Sequence, residues 1–373
     1  MVRALNRRID RRRFMGGLAL TGAGLGSGLA TPAFARSLFG PQNGIVRLSA
    51  NENPYGPSPK AIKAIAEAST KGAYYPGLAY RALTAKIAEA NGLDPQSVVI
   101  TSGSSSVLQA AGVAYAKHGA ILLPGLTFDG PLRHAERQGR ELRRIPLDPQ
   151  MGIDLTAMEA AVKHDVGLVY VCNPNNPTGI ALPPDQLRAF SRRVSKIAPV
   201  LIDEAYNELT DNPVASSMVD LVRNGEAVIV TRTFSKIFGL AGLRIGYAMA
   251  PPELAQVIRR HTMSNSNALG LAAALATYDD EPFLEFSKAK VIEGREIVLD
   301  TFKRHEVPVL PSQANFVYAD IGRNADRFQQ AMRERGVSIR GIYQPYDTWS
   351  RVSMGKIEDL ETFSRVFSEA YTA

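Results

Sequence analysis

The sequence has few of the residues that form disulfides or metal sites. Only one of its 373 residues is a cysteine, Cys172, so no disulfide can form within the chain. Its five histidines, at positions 118, 134, 164, 261 and 305, lack the spacing of metal ligands, and we predict no metal site. Beyond residue 30, no apolar run approaches the roughly 20 residues of a membrane-spanning helix. We therefore expect no stable membrane insertion.

The positive charge of the chain is concentrated at its start. The formal net charge is +7, but residues 1–35 contain six arginines and one acid, Asp10. That is a surplus of five, so the rest of the chain carries only +2. Such a small balance indicates no polyanionic partner, and we expect no binding to nucleic acid.

The first 35 residues have the three regions of an export signal. A basic stretch, Arg11-Arg12-Arg13-Phe14-Met15, is followed by a mildly apolar stretch from Gly16 to Ala30 and by Ala33-Phe34-Ala35 before Arg36. This order resembles a twin-arginine signal and predicts a periplasmic or otherwise exported protein. A disordered basic tail and an uncleaved anchor are the alternatives.

Short apolar runs alternate with helical patterns between Ile62 and Met249. This alternation predicts an α/β fold with a mostly parallel sheet covered by helices on both faces. From about Pro251, long helical patterns precede a few short strand-like runs, which predicts a smaller α+β domain. The predicted division is a signal peptide (1–35), an N-terminal arm (36–58), a large cofactor-binding domain (59–255) and a small C-terminal domain (256–373). The apolar runs expected to be strands of the sheet are 97–100, 120–123, 166–171, 200–202 and 227–230.

Unusual polar residues follow several of these predicted strands. Asp203 comes directly after one apolar run, with Tyr206 three residues later, and Lys236 follows another. A carboxylate in that position is costly to bury unless it has a cationic partner, and a protonated pyridine nitrogen is such a partner. Tyr206 can bond a ring hydroxyl. The pattern indicates pyridoxal 5′-phosphate (PLP) held by Lys236.

Phosphate donors are available in three places. They are the Gly103-Ser104-Ser105 turn at the start of a helix, the hydroxyl of Ser235, and Arg244. Each is a weak signal alone, because small hydroxyl residues at a helix start are usually caps. Together they are what a phosphorylated cofactor needs.

Six motifs follow one another across nearly all of residues 47–355. In these motifs and their order, the chain resembles the fold-type-I PLP aminotransferases of class I and II, most closely the histidinol-phosphate aminotransferase group. The motifs are Asn51-Glu52-Asn53-Pro54-Tyr55-Gly56, Tyr75-Pro76, Asn173 to Gly179, Asp203-Glu204-Ala205-Tyr206, Ser235-Lys236 with Gly239 to Arg244, and Arg351 to Gly355. The resemblance implies a large domain with a seven-stranded, mostly parallel sheet. It also implies transfer of an amino group between an L-amino acid, or a histidinol-phosphate-like amine, and a 2-oxo acid.

The resemblance further implies a role for each matching residue. Lys236 would be the Schiff-base lysine and proton shuttle, and Asp203 would lie at the pyridine nitrogen. Tyr75 would reach the phosphate of the neighbouring subunit, so the active unit would be a homodimer. The other implied contacts are Asn176 and Tyr206 at the ring hydroxyl, Ser104, Ser105, Ser235 and Arg244 at the phosphate, Phe128 stacked on the ring where a tyrosine is usual, and Tyr55, Arg340 and Arg351 at the substrate.

Several alternatives remain open on the sequence alone. The segment between Arg340 and Arg351 is shorter than is usual in the family, and the leader indicates export. Both favour a free amino acid over histidinol phosphate as substrate. A PLP-dependent lyase or decarboxylase shares the same fold and lysine, and a non-catalytic binding protein is a further alternative. Cys172 is expected to be a small buried hydrophobic residue, and the arginines from Arg133 to Arg144 a solvated helix face.

Overall fold

The structure, a computed structural model, describes residues 38–263 and 267–372. The predicted signal peptide at 1–35 lies outside these ranges. Contacts divide the chain into two units, residues 1–43 and 44–373, and every element named below belongs to the second. The predicted boundary between residues 255 and 256 stays a prediction.

The strands occur where apolar runs are bounded by turn residues. All five runs expected from the sequence are strands, and the prediction missed two strands of the large sheet, β4 and β8. The strands are β1 (Val46–Arg47), β2 (Val98–Thr101), β3 (Ala120–Pro124), β4 (Leu142–Ile145), β5 (Val166–Cys172), β6 (Val200–Asp203), β7 (Val228–Thr233), β8 (Gly246–Met249), β9 (Phe316–Asp320), β10 (Val337–Ser338) and β11 (Trp349–Ser353).

Seven of these strands form one sheet in the order β2-β8-β7-β6-β5-β3-β4. Only β8 runs against its neighbours, β2 and β7, and the other pairings are parallel. The predicted mostly parallel, seven-stranded sheet is confirmed. Its parallel strands β3, β5, β6 and β7 bring their carboxyl ends to one edge.

Helices alternate with the strands of this sheet and make up most of the regular structure after it. They are α1 (Pro59–Ser69), α2 (Gly77–Ala90), α3 (Ser104–Tyr115), α4 (Arg133–Arg137), α5 (Leu155–Ala161), α6 (Pro184–Val194), α7 (Pro213–Ser216), α8 (Val219–Arg223), α9 (Pro252–Arg260), α10 (Ala268–Thr277), α11 (Glu281–Arg304), α12 (Ala325–Glu334) and α13 (Ile357–Thr372). Among the described residues, none of these helices is both long and apolar enough to span a bilayer.

The central strands are buried on both faces because each face carries its own hydrophobic cluster. Along β5, Val169 and Val171 belong to one cluster, while Leu168 and Tyr170 belong to the other. This follows from the period of two in a strand, which sends successive side chains to opposite faces. Continuous burial explains why these strands are uninterrupted apolar runs in the sequence.

The C-terminal part has a separate hydrophobic cluster that includes Val298, Phe302, Phe363 and Phe367. Two small sheets accompany it. In one, β9 and β11 pair antiparallel; in the other, β1 and β10 pair parallel. The α+β texture expected for this part of the chain is present. Strand β11 carries Arg351, which it brings to the edge of the large sheet.

The prediction of one solvated helix face between Arg133 and Arg144 is wrong for its second half. Arg133 lies in the short helix α4, but Arg143 and Arg144 belong to the edge strand β4. An edge strand has a neighbour on one side only, so it tolerates charged residues that a central strand does not. Arg143 pairs there with Asp165 at 2.9 Å.

Candidate active site

A cavity of about 320 Å³ lies at the edge where the parallel strands end. Ligands bind at this edge in open α/β sheets because the loops that follow the strands diverge there. Ten of the residues singled out from the sequence line the cavity: Ser104, Ser105, Phe128, Asn176, Asp203, Tyr206, Ser235, Lys236, Arg244 and Arg351. The structure therefore brings residues from position 104 to position 351 of the sequence together in one site.

Asp203 is the last residue of β6, and its side chain is almost fully buried, with 2% of the residue exposed. The backbone N–H of Ala205 donates to its Oδ1 at 3.2 Å, and the hydroxyl of Tyr170 lies 3.4 Å from its Oδ2. Among the described residues, it has no ion-pair partner. Burial raises the pKa of Asp203 to about 7, although the charge of Lys236 acts in the opposite direction.

Glu204, the next residue, faces away from the cavity and is fully paired. Arg232 donates to its Oε2 from Nη2 at 2.8 Å and from Nε at 3.0 Å. Ser217 and the backbone N–H of Met218 also donate to this carboxylate. Of two adjacent buried acids, the protein neutralises only the one outside the cavity.

Lys236 follows β7 and reaches the same cavity. Its Nζ donates to the backbone carbonyl oxygen of Asn51 at 2.9 Å and lies 5.6 Å from the centroid of the Tyr206 ring. Burial and, to a smaller extent, the nearby charge of Arg351 lower the pKa of Lys236 to about 8. A lysine with such a pKa is partly uncharged near neutrality, as a nucleophile and proton carrier must be.

Tyr206 is buried, with its ring packed edge-on against Phe316 at a centroid distance of 5.2 Å. The side-chain amide of Asn51 donates to its hydroxyl oxygen at 3.0 Å. Asn51 Oδ1 in turn accepts from the hydroxyl of Ser353 at 2.6 Å. The sequence showed Asn51 only as part of a motif, and nothing in it marked Ser353 as a partner.

The phosphate donors predicted from the sequence meet at the N-terminus of α3. Gly103 precedes this helix with φ of +80°, and a Cβ there would overlap the guanidinium of Arg244. Glycine thus allows the guanidinium to approach the free N–H groups of the helix. Arg244 Nη1 also donates to the hydroxyl of Ser235 at 3.3 Å. The arrangement suits a phosphate dianion.

Arg351 is 6% exposed and has no acidic partner among the described residues. It donates from Nη1 to Asn176 Oδ1 at 2.7 Å and from Nη2 to the carbonyl oxygen of Ser49 at 2.9 Å. Its buried Nε has no hydrogen-bond partner within the described part of the chain. A buried cation with a spare donor fits an anionic substrate group.

A second cavity of about 560 Å³ shares Phe128, Asn176 and Arg351 with the first. Arg340 and Tyr343 also line it, and the guanidinium of Arg340 lies 5.2 Å from the Tyr343 ring centroid. The predicted substrate residue Arg340 is therefore at the outer side of the same site.

Two predicted residues do not line either cavity. Tyr75 is 90% exposed, so its predicted role in a neighbouring subunit stays a prediction. Tyr55 packs edge-on against Phe286, and its hydroxyl accepts from the backbone N–H of Ile357 at 3.0 Å. Its predicted contact with substrate likewise stays a prediction.

Cys172 lines the cavity from the end of β5, and Tyr170 is on the same strand. Cys172 is buried, its thiol donates to the carbonyl oxygen of Pro174, and burial raises its pKa, in agreement with the expected buried hydrophobic role. Tyr170 was not singled out from the sequence, yet its hydroxyl donates to the carbonyl oxygen of Phe128 at 2.8 Å. Among the described residues, no group of metal-ligating side chains could hold an ion.

Comparisons with known proteins agree with this geometry. A family model described as aminotransferase class I and II matches residues 43–367. The chain is 35% identical to a histidinol-phosphate aminotransferase of Moorella thermoacetica, over 87% of this chain and 85% of that protein. It is also 35% identical to histidinol-phosphate aminotransferase 1 of Dechloromonas aromatica, over 90% and 92%.

A solved structure is similar as well. The crystal structure of histidinol-phosphate aminotransferase from Sinorhizobium meliloti, in complex with pyridoxal-5′-phosphate, superposes with a TM-score of 0.79 at 28% identity. The match covers 88% of this chain and 91% of that one. The chain belongs to the class I and II aminotransferase family.

Proposed function

We propose that the cavity holds PLP and that the chain transfers amino groups between an L-amino acid, or a histidinol-phosphate-like amine, and a 2-oxo acid. One observation carries the proposal above all others. The buried carboxyl of Asp203, without an ion-pair partner among the described residues, shares a cavity with Lys236 and Tyr206. Burying an acid in this way is costly unless a cation binds beside it, and the protonated ring nitrogen of PLP is one.

The residues present fit each part of this cofactor. Asp203 would hold the ring nitrogen, Tyr206 and Asn176 the ring hydroxyl, and Phe128 the ring face. The phosphate would be held by Ser104, Ser105, Ser235 and Arg244, where helix N–H groups and a guanidinium converge. When bound, PLP supplies an electron sink that stabilises negative charge at the substrate's α-carbon.

Lys236 performs two tasks in this scheme. Its Nζ would hold the cofactor covalently, and once the substrate amine had displaced it, the freed amine would carry a proton to and from the substrate's α-carbon. Both tasks need the uncharged amine, and the burial that lowers the pKa of Lys236 to about 8 makes that form available.

Arg351 orients the substrate. Its guanidinium is held by Asn176 and the Ser49 carbonyl, so it is positioned before substrate arrives, and its Nε is still free to donate. A carboxylate or phosphate is the group that such a fork prefers. Arg340, also without an acidic partner among the described residues, adds a second positive charge at the outer cavity.

We propose a substrate amine that carries an anionic group for these two arginines. The relatives in Moorella thermoacetica and Dechloromonas aromatica are named for histidinol phosphate, which has such a group. The short segment from Arg340 to Arg351 and the leader favour a free amino acid instead. The substrate panel below separates these two classes.

Homodimerisation and export complete the proposal. The exposed ring of Tyr75 supports a role in the phosphate site of a second copy, since it lines neither cavity of its own chain. The leader supports export, which by the twin-arginine route carries proteins already folded and so permits cofactor loading first.

The test is an absorbance titration of the purified protein with PLP, followed by a panel of amines that includes histidinol phosphate, acidic amino acids and aromatic amino acids. We expect a visible band that Lys236→Ala abolishes and that Lys163→Ala, a change at an exposed lysine, leaves intact. Bleaching by one amine class, with 2-oxo acid consumed, identifies the substrate. Carbon dioxide release without a 2-oxo acid would identify a lyase instead, and absence of the band would refute the proposal.

A further inference from the structure

One asparagine outside the predicted catalytic set contacts both Tyr206 and Lys236. Asn51 accepts from Lys236 Nζ through its backbone carbonyl at 2.9 Å and donates from its side-chain amide to the Tyr206 hydroxyl at 3.0 Å. Its Oδ1 accepts from the Ser353 hydroxyl at 2.6 Å. With 5% of its surface exposed, Asn51 is buried at the wall of the cavity.

The orientation of the Asn51 amide decides where the Tyr206 proton points. In the observed orientation Nδ2 donates to the Tyr206 oxygen, so the phenolic proton is directed elsewhere. In the flipped orientation Oδ1 would face Tyr206 and accept that proton. The two ends of the amide have nearly the same shape, so the neighbours must choose between them.

Ser353 makes that choice. It is 0% exposed, and among the described residues its hydroxyl has no hydrogen-bond partner other than Asn51 Oδ1. A flipped amide would leave the Ser353 proton buried and unsatisfied, which is costly. In the observed orientation the Tyr206 hydroxyl has no acceptor among the described residues, so its proton is free to point into the cavity that Tyr206 lines.

We propose that Ser353, acting through Asn51, is a positioning residue that directs the Tyr206 hydroxyl proton into the cofactor cavity, toward the ring oxygen of bound PLP. The inference rests on the proposed cofactor. Ser353 lies two residues after Arg351 on β11, so both side chains face the same side of the strand. One strand therefore supplies the substrate's anchor and the residue that orients the cofactor's partner.

A hydrogen bond donated to the ring oxygen stabilises its anionic form. It therefore lowers the pH at which the lysine–cofactor linkage loses its proton, a change visible in the absorbance spectrum. Losing the bond altogether, as in Tyr206→Phe, should raise this midpoint by roughly 1 to 2 pH units, the size expected for a hydrogen bond to a charged group. Ser353→Ala, which frees the Asn51 amide to flip, should raise the midpoint pH by about half as much as Tyr206→Phe does.

The experiment is a pH titration of the visible absorbance in the PLP-loaded protein for wild type, Ser353→Ala, Tyr206→Phe and the double variant. Ser350→Ala is the matched control, because Ser350 is buried on the same strand but its hydroxyl donates to the Arg340 carbonyl at 2.6 Å. Ser353→Thr keeps the hydroxyl. We expect the control and Ser353→Thr to keep the wild-type midpoint, and Ser353→Ala to add nothing once Tyr206 is phenylalanine.

Two results would overturn the inference while leaving the cofactor assignment intact. One is an unchanged midpoint in Ser353→Ala with a normal visible band. The other is an equal shift from Ser353→Ala in the wild-type and Tyr206→Phe backgrounds, which would mean that Ser353 does not act through the tyrosine. A wild-type protein with no visible band would instead refute the proposed function, and this inference with it.

Discussion

Replacing Asp203 by asparagine should stabilise the cofactor-free protein, although Asp203 is central to the proposed function. Burial raises the pKa of Asp203 from 3.8 to about 7, a shift of about 3 pH units. Each unit corresponds to about 1.4 kcal/mol, so keeping this carboxylate costs the folded state about 4 kcal/mol where it is ionised. Asparagine has nearly the same shape and no charge to bury.

The pH dependence makes this prediction specific. Between about pH 4 and 7, the unfolded chain has lost the Asp203 proton that the folded protein keeps, so the free energy of unfolding falls as pH rises. The free energy of unfolding of Asp203→Asn should therefore exceed that of wild type by almost nothing at pH 4 and by about 4 kcal/mol at pH 7. Above pH 7 the difference should stay constant. Lys236 also titrates in both proteins, so most of its effect on stability cancels in the difference between them.

Urea unfolding of both cofactor-free proteins, followed by circular dichroism from pH 4 to 8, measures this difference. With PLP bound, wild type should be more stable than Asp203→Asn, because only the carboxylate pairs with the protonated ring nitrogen. A stability difference that is independent of pH, or that grows toward low pH, would refute the reasoning about Asp203.

Three further predictions concern the surroundings of the site. Glu204→Gln should lower the free energy of unfolding by about 3 kcal/mol in a denaturant titration, because it leaves Arg232, with 13% of its side chain exposed, without its carboxylate partner, whereas Glu369→Gln at an exposed pair should cost under about 1 kcal/mol. Gly103→Ala should raise the Kd for PLP at least about tenfold, because its strained φ and new Cβ displace Arg244, and Gly139→Ala, with a similar φ and nothing nearby, should not. Arg351→Lys should raise KM for the amine roughly 10- to 100-fold with a smaller effect on kcat, since lysine cannot form a bidentate fork. Unchanged values in Glu204→Gln, Gly103→Ala or Arg351→Lys would contradict the role given to that residue.

The prediction of the sheet from the sequence succeeded for its central strands and failed at its edge. Strands such as β5 and β6 are continuous apolar runs because helices cover both faces. Strand β4, Leu-Arg-Arg-Ile, has no such run, since an edge strand needs few apolar residues. Strand β8, Gly-Tyr-Ala-Met, was missed because it is short and contains no β-branched residue.

The candidate site shows a similar division. Residues whose chemistry is unusual for their position, such as Asp203 and Lys236, could be singled out before the structure was known. Asn51 and Tyr170 could not be given roles. Both are ordinary polar residues whose roles depend on hydrogen bonds to residues far away in the sequence. Tyr206 lies 155 positions from its partner Asn51, and no local pattern indicates such a contact.

The bond between Asn51 and Ser353 joins residues 302 positions apart, and it has a consequence for synthesis of the chain. At about 5 to 20 residues per second, a ribosome takes roughly 15 to 60 s to pass from one to the other. Lys236 is added 117 positions before Ser353, so for the last part of that interval the nascent chain contains Lys236 and Asp203 but not the serine that sets the Asn51 amide. On this proposal, orientation of the Tyr206 proton must follow synthesis of β11, and a chain truncated before β11 would lack it even though the lysine is present.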